Sequence, residues 1–430
     1  MIINECLTDT DYEETSSSGQ DRIYYVDQSS GHDSYTGTSD CPLKTIQAGL
    51  DTLINWKDQT LIIKDGIYQE SASFQKIYRA SIKTEGRVVI DGSDSVKNDL
   101  KSDWQFHSNH ENGNKIYSAN VGVDAWQLFV DGKEQIPARW PNADFENDDW
   151  SVFNVSHNWA ISNLDREKYR DENNNWVYPY GNGELIDADG YNNHPSLKQS
   201  GHNATGAIAV LNIGSWKTWS RKVNEHDMES GTFYFDPVDG WVGKYHTYFL
   251  EQKFEFIDQP GEWFFDREST TIFYMPAVGQ NPNELDIRVK TRGYGLVCKN
   301  SKWVSMVGLE FFASTFMFSN CDETVAGNMT LVYPSTSQRS LGVWGENPDT
   351  RIITRFERVC SNSTIENSVF LYTDGSALDI AGKNVIIRNN YFGYIDWSTS
   401  DASTVGATMW LEGSGHVIEH NTVTEFGATG

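Results

Sequence analysis

Three short segments near the end of the chain repeat one pattern of apolar and polar positions. Residues 365–370, 387–392 and 418–423 each begin with isoleucine and a charged residue, continue with a polar pair, and end with β-branched or aromatic residues. The first two copies lie 22 positions apart and the last two lie 31 apart. Each such unit leaves an apolar row that only the next unit buries, so the pattern predicts a parallel β-solenoid.

The start of the chain predicts a different order of elements. Residues 23–27 follow a strand pattern, the apolar positions 43, 46, 50 and 53 recur at helical spacing, and residues 61–68 return to a strand pattern. We therefore expect a strand, a turn-rich loop, a short amphipathic helix and a second strand. Residues 1–20 are polar, acidic and rich in Ser and Thr, which predicts a disordered leader.

This opening resembles that of right-handed parallel β-helix proteins of the pectin-lyase-like superfamily, in which the helix caps the first coil. Later blocks are similar to a subset of β-helix glycoside hydrolases with an inserted β-rich domain, such as the β-xylosidase and fucosidase types. These four blocks are LFVDGK at 128–133, ARWPN at 138–142, DQPGEWFFD at 258–266 and IFYMP at 272–276, while VVIDG at 88–92 continues the resemblance to the superfamily as a whole. The resemblance covers residues 21–430.

The resemblance implies an all-β fold, a right-handed parallel β-helix with an N-terminal helical cap and an inserted β-rich domain. The expected parts are a leader at 1–20, the cap and first coils at 21–124, the insertion at 125–290, and later coils at 291–430. Asparagines recur near the expected corners of the later coils, at Asn328, Asn367, Asn389, Asn390 and Asn421. Their amides bond backbone groups and tolerate left-handed backbone, so we interpret them as structural.

The chain is strongly acidic, with 34 Lys and Arg against 60 Asp and Glu and a formal charge of −26. Binding of phosphate groups needs a basic surface, so this balance argues against nucleic acid or an anionic membrane as a general partner. The charge is typical of a secreted protein from a saline habitat. The 15 Trp, 20 Tyr and 21 Phe include many in polar surroundings, where flat rings suit sugars as well as packing.

The ends of the chain bear on its location. No apolar run reaches the length of a membrane-spanning helix, and residues 1–20 lack the apolar centre of a signal peptide. We expect an extracellular or periplasmic protein with an export signal upstream of Met1, the alternative being a cytoplasmic chain. Residues 427–430 end in mid-repeat, which predicts that the chain is a fragment.

Five cysteines are scattered along the chain, with no C-x-x-C pair and no cysteine–histidine cluster at metal spacing. This pattern predicts neither a zinc site nor a disulfide framework. Cys298, Cys321 and Cys360 lie in apolar strand patterns, where cysteine is expected to act as a small core residue.

An aspartate pair is the main catalytic candidate. Aligning Phe370 with Phe392 places Asp374 level with Asp396 on the next coil. Adjacent strands lie ~4.8 Å apart, so the carboxylates should stand side by side, and their repulsion favours a proton on one of them. That arrangement serves a general acid beside a nucleophile or base, and the following turns predict exposure to solvent. The alternatives are turn-capping aspartates and a pair that binds Ca²⁺.

Further candidates surround this pair. Glu412 aligns with Ala381 and is the alternative acid, its other interpretation being a solvated turn carboxylate. Trp397 and Asp401 belong to an excursion between the coils that is expected to form the cleft wall and bind sugar. His416 is a substrate-binding candidate, although a corner or surface histidine is the commoner role.

The resemblance also implies that Arg139 and Trp140 of the insertion reach the sugar from above, while a strand that ends at a proline is their other interpretation. Together these observations predict a glycoside hydrolase that cleaves a plant or algal poly- or oligosaccharide with Asp374 and Asp396.

Two other functions stay open. A polysaccharide lyase would cleave uronate chains by β-elimination, using Ca²⁺ or basic residues such as Lys383, Arg388 or Arg355. A non-catalytic glycan-binding β-helix is permitted by the fold alone. No redox or nucleotide cofactor is expected, because no glycine-rich phosphate loop follows a strand, and we expect a monomer.

Overall fold

The computed structural model describes Cys6 and residues 22–125, 127–143, 158–163, 169–177, 182–190, 195–214, 218–238, 242–336, 352–397 and 409–426. This part of the chain is nearly all β, which confirms the all-β part of the predicted fold. Its short helices are α1 (Ile46–Asp51), α2 (Leu197–Ser200) and the 3-10 segments Phe254–Phe256 and Pro282–Glu284.

The N-terminal strands and α1 form where the sequence predicts them. The strands pair in parallel, β1 on β2 and β2 on β4. At the start of α1, the Thr45 hydroxyl accepts a hydrogen bond from the Ala48 N–H at 3.1 Å. Ile46 and Leu50 are buried in the core beside Leu61, so the helix covers one end of that core. The bounds are β1 (Arg22–Val26), β2 (Gln59–Tyr68), β3 (Ala72–Gln75) and β4 (Tyr78–Asp91).

Antiparallel sheets follow β4. Their pairing begins with Ser93 opposite Lys290, earlier than the position 125 expected from the sequence. The bounds are β5 (Ser93–Ser95), β6 (Gln105–Asn109), β7 (Lys115–Asn120), β8 (Leu128–Val130), β9 (Lys133–Glu134), β10 (Arg139–Trp140), β11 (Ala160–Ile161), β12 (Tyr169–Arg170), β13 (Trp176–Val177), β14 (Glu184–Ile186), β15 (Ile208–Gly214), β16 (Trp219–Asp227), β17 (Thr232–Phe235), β18 (Val242–Glu251), β19 (Trp263–Asp266), β20 (Thr271–Tyr274) and β21 (Ile287–Lys290).

Parallel pairing resumes after β21 in tiers of three strands, which we call the first to fifth tiers. They are β22 (Tyr294–Lys299), β23 (Lys302–Val307) and β24 (Glu310–Phe312); β25 (Thr315–Ser319), β26 (Val325–Gly327) and β27 (Thr330–Val332); β28 (Thr354–Ser361), β29 (Thr364–Glu366) and β30 (Val369–Leu371); β31 (Leu378–Lys383), β32 (Ile386–Arg388) and β33 (Tyr391–Ile395); and β34 (Met409–Ser414), β35 (Val417–Glu419) and β36 (Thr422–Phe426). Corresponding strands of neighbouring tiers pair in parallel, and β3 and β4 pair with the first tier.

The register of the tiers is the one predicted from the repeat. Phe370 pairs with Phe392, which pairs with Val423, and the rings of the two phenylalanines stack at 4.8 Å. Both phenyl rings are fully buried in a core that runs through the first four tiers, and the partly buried Met409 and Leu411 of the fifth tier pack against it. The inner apolar row is therefore what the repeated sequence pattern encodes.

Left-handed backbone marks the corners of each tier. The first corner lies where the first strand meets the second, the second corner lies between the second strand and the third, and the third corner lies at the end of the third strand. The first-corner residues are Arg79 (before the first tier), Trp303, Glu323, Asn362, Asn384 and Gly415; those of the second are Gly308, Asn328, Asn367, Asn389 and His420; those of the third are Ala313, Tyr333, Tyr372, Tyr394 and Glu425.

The second corner confirms the structural role expected for asparagine. Asn328, Asn367 and Asn389 have φ values of 52°, 52° and 54°. The side chains of Asn390 and Asn421 instead point to the backbone, donating to the carbonyls of Ile365 and Ile387. Asparagine tolerates left-handed backbone better than most residues, so these corners form at low cost.

The cysteines differ in part from expectation. Cys6 and Cys41 form a disulfide, so the prediction of no disulfide was wrong. Their separation of 35 residues gives no spacing signal, and only the fold brings them together. Cys298, Cys321 and Cys360 are free and fully buried in the core, as predicted.

We expect Phe370→Ala to destabilise the protein by about 3–5 kcal/mol, because it leaves a cavity between stacked tiers. Chemical denaturation followed by circular dichroism measures the loss. Phe106→Ala is the matched control, since that phenylalanine is 55% exposed, and it should change stability by less than about 0.5 kcal/mol. Equal effects of the two substitutions would contradict the proposed packing.

Candidate active site

Tyrosines occupy the third corner in three successive tiers. Tyr333, Tyr372 and Tyr394 have φ values of 55°, 56° and 57°, a conformation that is unusual for bulky side chains. Their rings stack, Tyr333 on Tyr372 at 5.4 Å and Tyr372 on Tyr394 at 4.7 Å. Strained backbone of this kind clusters at functional sites, which directs attention to the residues that follow.

Asp374 and Asp396 lie two residues after Tyr372 and Tyr394. Backbone pairing continues past the strands, because the Thr373 N–H donates to the Tyr394 carbonyl at 3.0 Å. The Thr373 hydroxyl also accepts the Asp396 N–H at 2.9 Å. The two turns are therefore held together through Thr373.

Both aspartates are buried, at 2% and 5% exposure, rather than exposed as the turn pattern predicted. The reason is that the antiparallel region covers this corner. Phe129 of β8 packs against the third-corner residues Ala313 and Tyr333. The sequence repeat predicts the tiers but carries no information about what lies over them.

This covering brings further charges to the corner. Lys290, at the end of β21, is fully buried, and its Nζ donates to the Tyr333 carbonyl at 3.1 Å. Glu134 of β9 is buried as well and accepts a hydrogen bond from Gln127 Nε2 at 2.7 Å. Lys290 is electrostatically attracted to both Glu134 and Asp374.

Burial sets the protonation of this cluster. Desolvation lowers the pKa of Lys290 to about 7, and attraction by Glu134 and Asp374 only partly opposes it. Burial also raises the pKa of the Tyr333 hydroxyl, and the nearby Glu134 adds to that rise. The cluster therefore combines carboxylates, a neutral phenol and a lysine that titrates near neutral pH.

Trp397 lies next to the pair but does not offer an open face. It is 2% exposed and packs against Ile136 and Ala143 of the antiparallel region. Asp401, the other predicted wall residue, lies outside the described residues. The tryptophan thus joins the turn after the fourth tier to the antiparallel sheets.

Arg139 and Trp140 are also buried, within β10. The Arg139 guanidinium donates from Nε to the Pro141 carbonyl at 2.9 Å and lies 3.8 Å from the centre of the Phe249 ring. These contacts fix the arginine inside the antiparallel region. The structure gives both residues packing roles there.

Glu412 is level with Ala381, as the alignment predicts, and is exposed. Its Oε1 accepts a hydrogen bond from Trp410 Nε1 at 3.0 Å. His416 contacts backbone, with Nδ1 accepting the Val385 N–H at 3.3 Å. Both lie towards the first corner, while the aspartates follow the third corner.

Lys290, Glu134 and Tyr333 lie at this corner but are not among the site residues predicted from the sequence. Tyr333 has a detectable signal, because it repeats the offset of Tyr372 and Tyr394 from the aligned strands. Lys290 and Glu134 have none, since strand pairing between distant segments places them. Both residues are charged and lie at the ends of strands, a position so common for charged residues in β proteins that it does not indicate a site.

Other features lie away from this cluster. A cavity of about 490 Å³ lies where α1 meets β3, lined by Leu50, Phe74 and Ile77 among others, and no cluster residue lines it. Within the described residues, no group of three or more His, Cys, Asp or Glu side chains is arranged to hold a metal ion. No helix in the described ranges is both long and apolar enough to span a bilayer.

Comparison with known proteins gives only distant similarities. No family model matches the sequence, and no curated protein matches it. One solved structure, a glycoside hydrolase, has 11% identity and a TM-score of 0.47, covering 93% of this chain and 96% of its own. XylC in complex with xylose has 14% identity and a TM-score of 0.42, covering 93% of this chain and 58% of its own.

A GH136 lacto-N-biosidase from Eubacterium ramulus has 9% identity and a TM-score of 0.26, covering 94% of this chain and 56% of its own. The chain thus spans a little more than half the length of XylC and of the lacto-N-biosidase. We base its function on its own residues.

Lys290 should make stability depend on pH. Its folded pKa of about 7 lies below the usual lysine pKa of 10.5, so the unfolded state binds more protons between these values. Stability should therefore rise with pH from about 7 to 10, fall over the same range as the pH is lowered, and not depend on this lysine below about 7.

Lys290→Met should remove this rise, as measured by thermal unfolding across that pH range. Lys299→Met, which replaces an exposed lysine, is the control and should leave the slope unchanged. A Lys290→Met protein with the wild-type slope would show that the lysine is charged in the folded state.

Proposed function

We propose that the tiers form a right-handed parallel β-helix and that the chain is a glycoside hydrolase acting on a poly- or oligosaccharide. The observation that supports this most is the stacked Tyr372 and Tyr394 with Asp374 and Asp396 two residues beyond them. Two carboxyl groups near each other are what glycosidic cleavage requires, one to donate a proton and one to act as nucleophile or base.

Within this proposal, we assign the ionised role to Asp374 and the acid role to Asp396. Lys290 attracts Asp374, and a positive charge favours the carboxylate that acts as nucleophile or base. Asp396, the other member of the pair, then takes the acid role, and its backbone N–H donates to the Thr373 hydroxyl at 2.9 Å. Glu412 is a weaker candidate for the acid, because its side chain is exposed and hydrogen-bonded to Trp410.

A polysaccharide lyase is the second candidate, and Lys290 is the observation that favours it. A lysine with a pKa of about 7 has the proton affinity of a base for β-elimination. However, its Nζ already donates a hydrogen bond to the Tyr333 carbonyl at 3.1 Å. Arg388 pairs with Glu366 at 2.6 Å and Arg355 with Asp379 at 3.6 Å, so carboxylates already engage these two cations.

We further propose an extracellular or periplasmic location. The Cys6–Cys41 disulfide supports it, because disulfides persist in oxidising compartments and are rare in the cytosol of most organisms. The strongly acidic composition supports a soluble monomer that binds a neutral or weakly charged carbohydrate.

Asp374→Asn and Asp396→Asn should each lower turnover by about 10²–10⁴-fold, since each removes a proton-transfer or nucleophilic group. The assay measures reducing ends released from a panel of plant and algal glycans by the purified chain. Asp379→Asn, the same change in the neighbouring β31, is the control and should retain activity.

The products and the metal requirement separate the alternatives. A hydrolase releases saturated sugars, whereas a lyase leaves an unsaturated sugar that absorbs ultraviolet light. Loss of activity in EDTA with recovery on adding Ca²⁺ would favour the metal-binding interpretation of the pair. Full activity in both aspartate variants would exclude them as catalytic residues, and a wild-type chain inactive on every glycan would favour the non-catalytic module.

A further inference from the structure

An exposed aromatic surface lies at the first corner, near the start of the parallel strands. Trp56 is 59% exposed, and one of its faces stacks on Tyr78 at 4.3 Å with the rings 11° from parallel. Trp303 is 38% exposed and lies 6.3 Å from Trp56, tilted by 58°. Because Trp56 keeps this exposure while stacked on Tyr78, much of its ring surface is open to solvent. We call Trp56, Tyr78 and Trp303 the aromatic platform.

The backbone beside the platform adopts the left-handed conformation found at the first corner of every tier. Arg79, Trp303 and Glu323 hold the left-handed first-corner position in successive levels, with φ values of 67°, 54° and 51°. In the third and fourth tiers the same position is filled by Asn362 and Asn384, which tolerate this conformation more readily. The first corner beside the platform therefore carries large or charged side chains at the position where the third and fourth tiers have asparagine.

Polar groups surround the rings. Trp303 Nε1 donates to Glu323 Oε2 at 2.6 Å. Lys302 Nζ lies 3.0 Å from carboxylate oxygens of both Asp322 and Glu323, and 4.5 Å from the centre of the Trp303 ring. These groups supply both donors and acceptors for hydroxyls beside Trp303, whose ring lies 6.3 Å from that of Trp56.

The charge around the platform is nearly balanced. Arg79 and Lys302 are matched by Asp58, Asp322 and Glu323, with Arg79 lying 3.7 Å from Asp58. An anionic polymer would meet more carboxylates than cations here, and the whole chain carries a formal charge of −26. The surface thus suits a ligand without charge that offers flat apolar faces and many hydroxyls.

We propose that the aromatic platform is a second carbohydrate-binding site, which holds a neutral polysaccharide by stacking a pyranose ring on the exposed ring surface of Trp56. It lies at the first corner of the strands, whereas the candidate catalytic aspartates follow the third. The proposal does not depend on catalysis, because it concerns binding alone. The platform would keep the chain on a polymer independently of the catalytic cluster.

The test is native affinity electrophoresis of the full chain in gels containing xylan, galactomannan or polygalacturonate. At least one neutral polymer should retard the wild-type protein. Trp56→Ala should weaken that apparent affinity by about tenfold, equivalent to about 1.4 kcal/mol. Trp56→Phe keeps an aromatic face and should retain most of the binding, and Phe106→Ala, an exposed ring without ionised neighbours, should have no effect.

A chain carrying both Asp374→Asn and Asp396→Asn separates the two sites. Retardation that persists in this chain and is lost on adding Trp56→Ala belongs to the platform, whatever the outcome for catalysis. Wild-type mobility of Trp56→Ala in every gel would overturn the proposal. So would a wild-type protein that neither neutral polymer retards, or one that only polygalacturonate retards.

Discussion

The corners of the parallel tiers depend on residues with left-handed backbone, such as Asn300 and Trp303 around the first corner of the first tier and Asn367 at the second corner of the third tier. That conformation redirects the chain while the N–H of the same residue still reaches the next tier. Asn367 donates to the Arg388 carbonyl at 3.2 Å, Asn362 to Lys383 at 2.9 Å and Tyr372 to Gly393 at 3.1 Å. A residue with a Cβ atom adopts this conformation at a cost of roughly 1–2 kcal/mol, and asparagine does so more readily than most. Glycine or asparagine at a corner thus favours stability, whereas a larger residue adds a side chain to the surface at a conformational cost.

The three corners differ in the residue types that occupy these left-handed positions. The second corner is mostly glycine and asparagine, so it contributes structure and little else. The third corner carries stacked tyrosines in the second to fourth tiers and leads directly to Asp374 and Asp396. The first corner changes along the stack, from Arg79, Trp303 and Glu323 to asparagine. Because the strand register repeats, a corner residue other than glycine or asparagine lies beside its equivalent in the next tier. The side chains of such residues therefore form a continuous row on the surface of the tiers.

How much the sequence predicts follows from this repetition. The apolar row that pairs Phe370 with Phe392, the asparagine corners and α1 all depend on local spacing, and the sequence predicts them correctly. It also aligns Glu412 with Ala381. The burial of the aspartates, the Cys6–Cys41 disulfide and the positions of Lys290 and Glu134 depend on contacts between distant segments. No periodic pattern encodes those contacts, so residues such as Trp397 look like open sugar-binding groups in the sequence and are packed in the structure.

The covering of the third corner changes the electrostatics as well as the exposure of the site. In water, two unit charges 4 Å apart interact by about 1 kcal/mol, and at the effective dielectric of a protein surface by about 4 kcal/mol. If the tiers were not covered, water would surround the carboxylates at this corner. Their interaction would then be too weak to determine which of them carries a proton. The antiparallel region places them at the lower effective dielectric of the protein and adds Lys290, whose own desolvation lowers its pKa to about 7. Proton distribution among these groups is therefore a property of the parallel tiers and the antiparallel sheets together.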